Sequence, residues 1–172
     1  MLGVILLYVG MVLISNGIAR LAKINDASMS VMNFFVGGLG LILNLGSILI
    51  GVAQHQNALW FYGSACGLLF AFTYLYSAIN TCFHLNSYLY GWYCLFVAIN
   101  TIPMGLLCFM GYGGNAMYGV IWWLWGLLWL TGFIENSLHK SLGSFVGYLS
   151  VIEGIITAWI PGFMMLTNLW PK

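Results

Sequence analysis

MYGVIWWLWGLLWLTGFI, residues 117–134, contains no charged side chain and carries half of the chain's eight tryptophans. A helix rises about 1.5 Å per residue, so this run covers most of a hydrocarbon layer about 30 Å thick. It is continuous and rich in Leu, Ile, Gly and Trp, without the alternation that a barrel wall needs to face lipid on one side and a lumen on the other. A helix satisfies its own backbone groups in lipid, so a membrane-spanning helix is the expected structure.

Working outward, five more apolar runs of comparable length can be drawn, and the spans become 2–19, 31–53, 59–79, 88–110, 117–134 and 145–169. They nearly exhaust the 172 residues, leaving connections of 20–30, 54–58, 80–87, 111–116 and 135–144. The expectation is an all-α membrane protein, a six-transmembrane-helix bundle forming a single domain over 1–172. Composition agrees: four Lys+Arg and three Asp+Glu make 4% charged residues against 62% hydrophobic ones. A water-soluble surface needs about a quarter or more charged residues, so this chain buries its apolar side chains in lipid. Nucleic-acid binding is excluded, because Arg20, Lys23, Lys140 and Lys172 form no basic cluster. The first run lacks a basic leader segment and a small-residue cleavage site, so it is read as a retained span.

Arg20, Lys23 and Lys140 fall in the first and fifth connections, and only Lys172 lies with the second and fourth. The positive-inside rule then puts the odd connections in the cytoplasm and both termini outside. Three helices followed by three helices would invert the second half relative to the first. A shift of 84 residues lays Asn16 on Asn100 and Thr73 on Thr157, and a 3+3 inverted repeat is expected on these few matches.

The spans hold little reactive chemistry. Cys66, Cys82, Cys94 and Cys108 form no CxxC pair and have no His or acid at ligand spacing, so no metal or cofactor is expected. They read as small buried apolar residues; Cys66 and Cys108 could pair near the outer side, but nothing in the spacing argues for it. His55, His84 and His139 all fall in connections, which leaves intramembrane catalysis without a base, and no enzymatic activity is expected. Glu153 is the one charge-capable group well inside a span. Such acids are functional by default, although a carboxyl that locks two helices together by hydrogen bonds is an equal alternative.

Trp122, Trp125 and Trp129 are spaced i, i+3, i+7 and share one helix face, while Trp123 points elsewhere. Phe72 and Tyr76 share a face of the third span. Aromatic stripes are common packing, but Trp125 and Trp129 lie deep in the run, where an indole N–H facing lipid would lack a partner. They are expected to face protein or a polar solute. Gly3, Gly10 and Gly17 form a row on the first helix into which another backbone can fit closely.

The strings MLGVILLYVGMVLISNG (1–17), VMNFFVGGL (31–39), GLLFAFTYLYSAIN (67–80), WYCLFVAINTIP (92–103), LWGLLWLTGFIEN (124–136) and IEGIITAWIPG (152–162) resemble, span by span, the UreI/AmiS family of urea and short-chain amide channels. The likeness is greatest to its proton-gated urea channels of urease-bearing Helicobacter. The resemblance implies six helices and one pore per subunit, a homo-hexameric ring with a lipid-filled centre, an inner-membrane location with periplasmic termini, and urea supplied to cytoplasmic urease. It makes the aromatic face a pore wall, with Trp125 and Trp129 opposite Phe72 and Tyr76, Leu2, Leu6 and Leu13 completing the constrictions, and Glu153 as the family's acidic residue of the sixth helix. Trp122 joins this wall by its spacing.

Strongly acid-gated members can have a long first outer loop rich in His and acids, whereas here the loop shrinks to 54–58 with His55. His55 and the carboxylate of Lys172 are therefore the pH-sensing candidates, an imidazole ordinarily titrating near pH 6.5, at about the middle of the acid-to-neutral range. Urea is small, planar, neutral and dipolar, so a narrow slot of flat groups accepts its faces while Trp N–H, Tyr O–H or a carboxylate holds its edges. Two alternatives stay open: an ungated urea or short-amide facilitator, and a proton-coupled transporter using Glu153.

Overall fold

The computed structural model describes residues 1–171. Six helices follow one another: α1 Leu2–Leu21, α2 Asp26–Ala53, α3 Ala58–Cys82, α4 Tyr88–Phe109, α5 Ala116–Asn136 and α6 Phe145–Leu166, each long and apolar enough to cross a membrane. Asparagine sets three of the starts. Asn25 accepts a hydrogen bond from the Ala27 N–H, Asn57 from Leu59 and Trp60, and Asn115 from Tyr118. Such caps satisfy donors that the first helical turn leaves open, and the Asn25 cap explains why α2 begins five residues ahead of the expected apolar run.

The stops explain the histidines. Lys23, His55, His84, His139 and Asn168 all have positive φ, between 51° and 59°, at positions just past a helix end. In each of the first three a backbone N–H one residue on reaches back to close the helix: Ile24 to Ala19 at 2.8 Å, Gln56 to Gly51 at 2.9 Å, Leu85 to Asn80 at 2.9 Å. This is the left-handed C-terminal stop, in which Asn and His are among the better-tolerated non-glycine residues. All three histidines thus terminate helices.

The helices close a ring in chain order, α1 meeting α6. Contact is extensive within the antiparallel pairs α2–α3, α4–α5 and α1–α6, and thin at the three joins between pairs. The expected 3+3 repeat is not followed in the packing: a shift by three helices would carry the extensive α2–α3 seam onto the thin α5–α6 join. The ring divides by pairs, not by halves.

The α1–α6 seam is where the glycine row acts. A β-carbon at Gly3 would press on the Gly162 carbonyl and Met165, one at Gly10 on the Trp159 backbone, and one at Gly17 on the Gly147 carbonyl and Val151. Gly147, Gly154 and Gly162 on α6 answer them, each too close to α1 for a side chain. Close approach of backbones supplies the dispersion contacts that lipid cannot oppose. α6 is also widened into a π-helical turn over Gly154–Trp159, directly before Ile160 and Pro161. Pro161 has no N–H to give the Thr157 carbonyl and its ring crowds that oxygen, and a widened turn relieves both conflicts.

Candidate functional site

Two cavities enter the ring from opposite ends and meet at Phe70, the one side chain among the described residues that lines both. The first, about 290 Å³, lies at the end bearing Arg20 and Glu135 and is bordered by Asn16, Asn33, Ser77 and Asn136. Its amides are ordered: Asn16 Nδ2 donates to Asn33 Oδ1 at 3.0 Å, and Asn33 Nδ2 donates to the Met29 carbonyl at 3.0 Å. Arg20 pairs with Glu135 across the mouth. The same arginine donates from Nε to the Gly143 carbonyl at 3.1 Å, and Glu135 accepts from the Leu142 N–H at 3.0 Å, so the α5–α6 connection is strapped to the end of α1. The second cavity, about 320 Å³, lies at the Met1 end, with Leu2, Leu6, Val9, Met104, Tyr118 and Trp122 in its wall.

Between them the Phe70 ring sits 4.7 Å from Trp125, 4.7 Å from Trp129 and 5.5 Å from Trp122, centroid to centroid. These edge-on and tilted contacts suit the aromatic quadrupole and build a neck of flat groups. The indole N–H groups are already engaged. Trp125 Nε1 donates to Thr157 Oγ1 at 2.8 Å, and Trp129 Nε1 donates to Thr73 Oγ1 at 3.1 Å. Each threonine hydroxyl passes its own proton to a helix carbonyl, Thr157 to Glu153 and Thr73 to Leu69. The tryptophans therefore show ring faces to the neck, and their N–H groups hold the rings in place instead of binding a solute edge.

Most of the expected wall converges. Trp125 is 2% exposed and lines the Arg20-end cavity with Trp129 and Leu13, while Leu2, Leu6 and Trp122 line the other. Trp123 lies on another face, stacked on Phe109 at 5.1 Å. Phe72 and Tyr76 are a correction. Phe72 is 44% exposed and borders neither cavity, and Tyr76 packs its ring against Tyr90 at 5.3 Å and Tyr93 at 6.0 Å. The cavity-facing residues of α3 stand two places earlier, at Phe70 and Tyr74, because two residues rotate a helix face by about 200°. A signal was present: Phe70, Thr73, Tyr74 and Ser77 follow i, i+3, i+4, i+7, and two small hydroxyl residues among aromatics mark that face as the polar one.

Glu153 is 2% exposed and borders neither cavity. Its backbone carbonyl accepts the Thr157 hydroxyl, but among the described residues neither carboxylate oxygen has a hydrogen-bond partner. The expected hydrogen-bonded carboxyl is thus not seen. Tyr74 is the phenol within electrostatic reach of it. His55 lies at the Met1 end, exposed, with no hydrogen bond or ion pair to its side chain among the described residues. Its expected partner, Lys172, lies outside them. Asn115 holds the chain just before that point, its Nδ2 donating to the Pro171 carbonyl at 2.7 Å.

Comparison with known proteins gives consistent results. The AmiS/UreI family transporter profile matches residues 1–169. An acid-activated urea channel of Helicobacter pylori is 47% identical, covering 99% of this chain and 100% of that one. A putative amidate substrates transporter protein of Mycolicibacterium smegmatis is 40% identical over 98% of this chain and 78% of its own length. A crystal structure of the urea channel from Helicobacter pylori superposes with a TM-score of 0.90 at 50% identity, covering 99% of this chain and 100% of that one. This multi-pass membrane protein belongs to the AmiS/UreI family of transporters.

Proposed function

We propose that the chain is a passive urea channel. The observation that carries this reading is the pair of cavities, uncharged along most of their walls, that approach from opposite ends and share the Phe70 ring, itself packed against Trp125 and Trp129. A neutral planar solute can slide between flat rings, whereas an ion would lose hydration worth several kcal/mol or more without replacement. The amides and hydroxyls of Asn16, Asn33, Ser77 and Asn136 offer edge partners on one side of the neck. Conduction requires weak binding, about 4 kcal/mol or less, equivalent to a millimolar or weaker site. Glu153 borders neither cavity, which favours downhill passage over proton coupling.

The acid-activated urea channels of Helicobacter extend the proposal to gating, and the family resemblance extends it to location and assembly. The chain resides in a bacterial inner membrane with both termini in the periplasm, assembles as a homo-hexamer, supplies cytoplasmic urease and opens when the outside acidifies. The distribution of Arg20, Lys23 and Lys140 supports this orientation. The ionisable side chains of the two connections at the Met1 end are His55 and Tyr112, with the α-amino group of Met1 and the side chain and carboxylate of Lys172 as the other ionisable groups placed there. Urea and acetamide flux into vesicles at neutral and acidic outside pH tests the set. Flux that rises on acidification in the parent and not in His55→Ala supports gating through His55, and a flat parent profile rejects acid activation.

A further inference from the structure

Two free cysteines look into the Met1-end cavity. Cys66 on α3 and Cys108 on α4 are both buried thiols in its wall, joined there by Tyr62 and Met104. Tyr62 and Cys66 are i, i+4 on α3, and Met104 and Cys108 are i, i+4 on α4, so each helix turns a two-residue face to the same space. The two thiols lie within electrostatic reach of one another and of the Tyr62 and Tyr118 phenols. The Tyr62 hydroxyl is shielded from solvent and lies beside the Cys66 thiol, one turn along the same helix. Metal sites in helical bundles are built from side chains that project inward from facing helices.

We propose that this cavity holds a binding site for a soft monovalent cation of the Cu(I) and Ag(I) class, ligated by Cys66 and Cys108 with the Met104 thioether as a third, weaker ligand. Two thiolates and a thioether are too few for the four-coordinate site that zinc takes and suit soft d10 monovalent ions of low coordination number, while harder cations prefer oxygen donors. Binding deprotonates both thiols and releases two protons per ion, and the site carries one net negative charge. The Tyr62 hydroxyl, beside Cys66, is placed to donate to its thiolate and offset part of that charge. The site spans α3 and α4, one of the thin joins of the ring, so an ion there cross-links two helices that otherwise touch little and fills the approach to Phe70. An occupied site closes the path, a consequence that rests on the urea reading, whereas binding itself does not.

The test uses the full chain carrying Cys82→Ser as the reference, because Cys82 is exposed and would take up silver independently. Silver(I) as the nitrate, in chloride-free buffer after reduction of the protein, is measured by equilibrium dialysis, and downhill urea flux is measured in vesicles of the same protein. A single tightly bound ion per chain is expected, with urea flux falling towards that of protein-free vesicles. Cys66→Ser and Cys108→Ser should each weaken binding by about 10- to 100-fold and make flux insensitive to silver, and Met104→Leu should weaken binding less. The Ala variants at both cysteines serve if Ser is not tolerated in the fold. Unchanged binding in the double cysteine variant, loss of binding on Cys94→Ser alone, or no binding to the reduced protein overturns the site. Silver binding in vesicles that never conduct urea would retain the site and reject the urea reading, so the two failures are distinguishable.

Discussion

The two cavities are close in size, about 290 and 320 Å³, and differ in chemistry. The one at the Arg20 end is ringed by amides, hydroxyls and an ion pair whose partners are fixed by hydrogen bonds; the one at the Met1 end is lined mainly by aliphatic chains, aromatic rings and thiols, with Asn44, Ser47 and Ser64 as its small polar side chains. On the proposed path, a solute crossing the neck exchanges a mainly apolar approach for one richer in hydrogen-bonding groups. On the proposed urea path the difference divides discrimination: shape is read mainly at the neck and on the Met1 side, and edge hydrogen bonding mainly on the Arg20 side. The neck can be rigid because its indole N–H groups spend their hydrogen bonds on Thr157 and Thr73.

The comparison breaks most completely if the two cavities are merged. Phe70→Ala removes the ring that separates them, at a cost to the fold of about 3–5 kcal/mol. In whatever fraction remains assembled, the preference for urea over a bulkier amide is expected to fall about tenfold or more, equivalent to about 1.4 kcal/mol, measured as a flux ratio in vesicles. A preserved ratio would mean that selection occurs elsewhere.

Loosening the neck without merging the cavities is a smaller change. Thr157→Val and Thr73→Val keep the shape but leave one indole N–H unpaired, a loss of about 0.6–1.7 kcal/mol per bond. Urea flux should change severalfold in each, and the double variant should show whether the two bonds hold one rigid unit. Wild-type flux in both single variants would show that the rings are held by packing alone.

The Arg20 end responds less. Arg20 is 36% exposed and Glu135 16%, so water screens the pair, and Arg20→Met or Glu135→Gln is expected to cost about 1 kcal/mol or less. Both variants should alter urea exit modestly by freeing the α5–α6 connection, with partial recovery in the charge-swapped Arg20→Glu/Glu135→Arg protein. Smallest of all is Phe72→Ala: the side chain borders neither cavity, so urea flux per assembled protein should equal that of the parent. A large flux loss there would overturn the placement of Phe70 as the cavity-facing residue of α3.

The membrane class and the six spans could be read from the sequence because composition and run length report directly on the solvent that surrounds a helix. The glycine row of α1 was legible for a similar reason: its 3.6-residue geometry is local, and only the identity of the partner, α6, needed the fold. The face of α3 was misread because Phe70, Phe72, Tyr74 and Tyr76 alternate along an aromatic stretch in which several pairs satisfy helical spacing, and only tertiary contact selects one. His55 has a local duty at a helix stop through its left-handed backbone, which the sequence does not announce and which leaves its proposed part in gating untouched. The thiol site escaped spacing rules altogether, since its ligands come from two helices 42 positions apart in the sequence, Cys66 and Cys108.

The central claim is that urea crosses between the two cavities through the neck at Phe70. Downhill urea permeability of vesicles bearing the purified protein, beside protein-free vesicles and vesicles bearing Phe70→Trp, tests it most directly. The claim predicts permeability well above the protein-free level for the parent and a fall towards that level for Phe70→Trp, whose larger ring plugs the neck in an otherwise assembled protein. Parent permeability no higher than that of bare vesicles, or equal flux through the parent and the assembled Phe70→Trp protein, would contradict it.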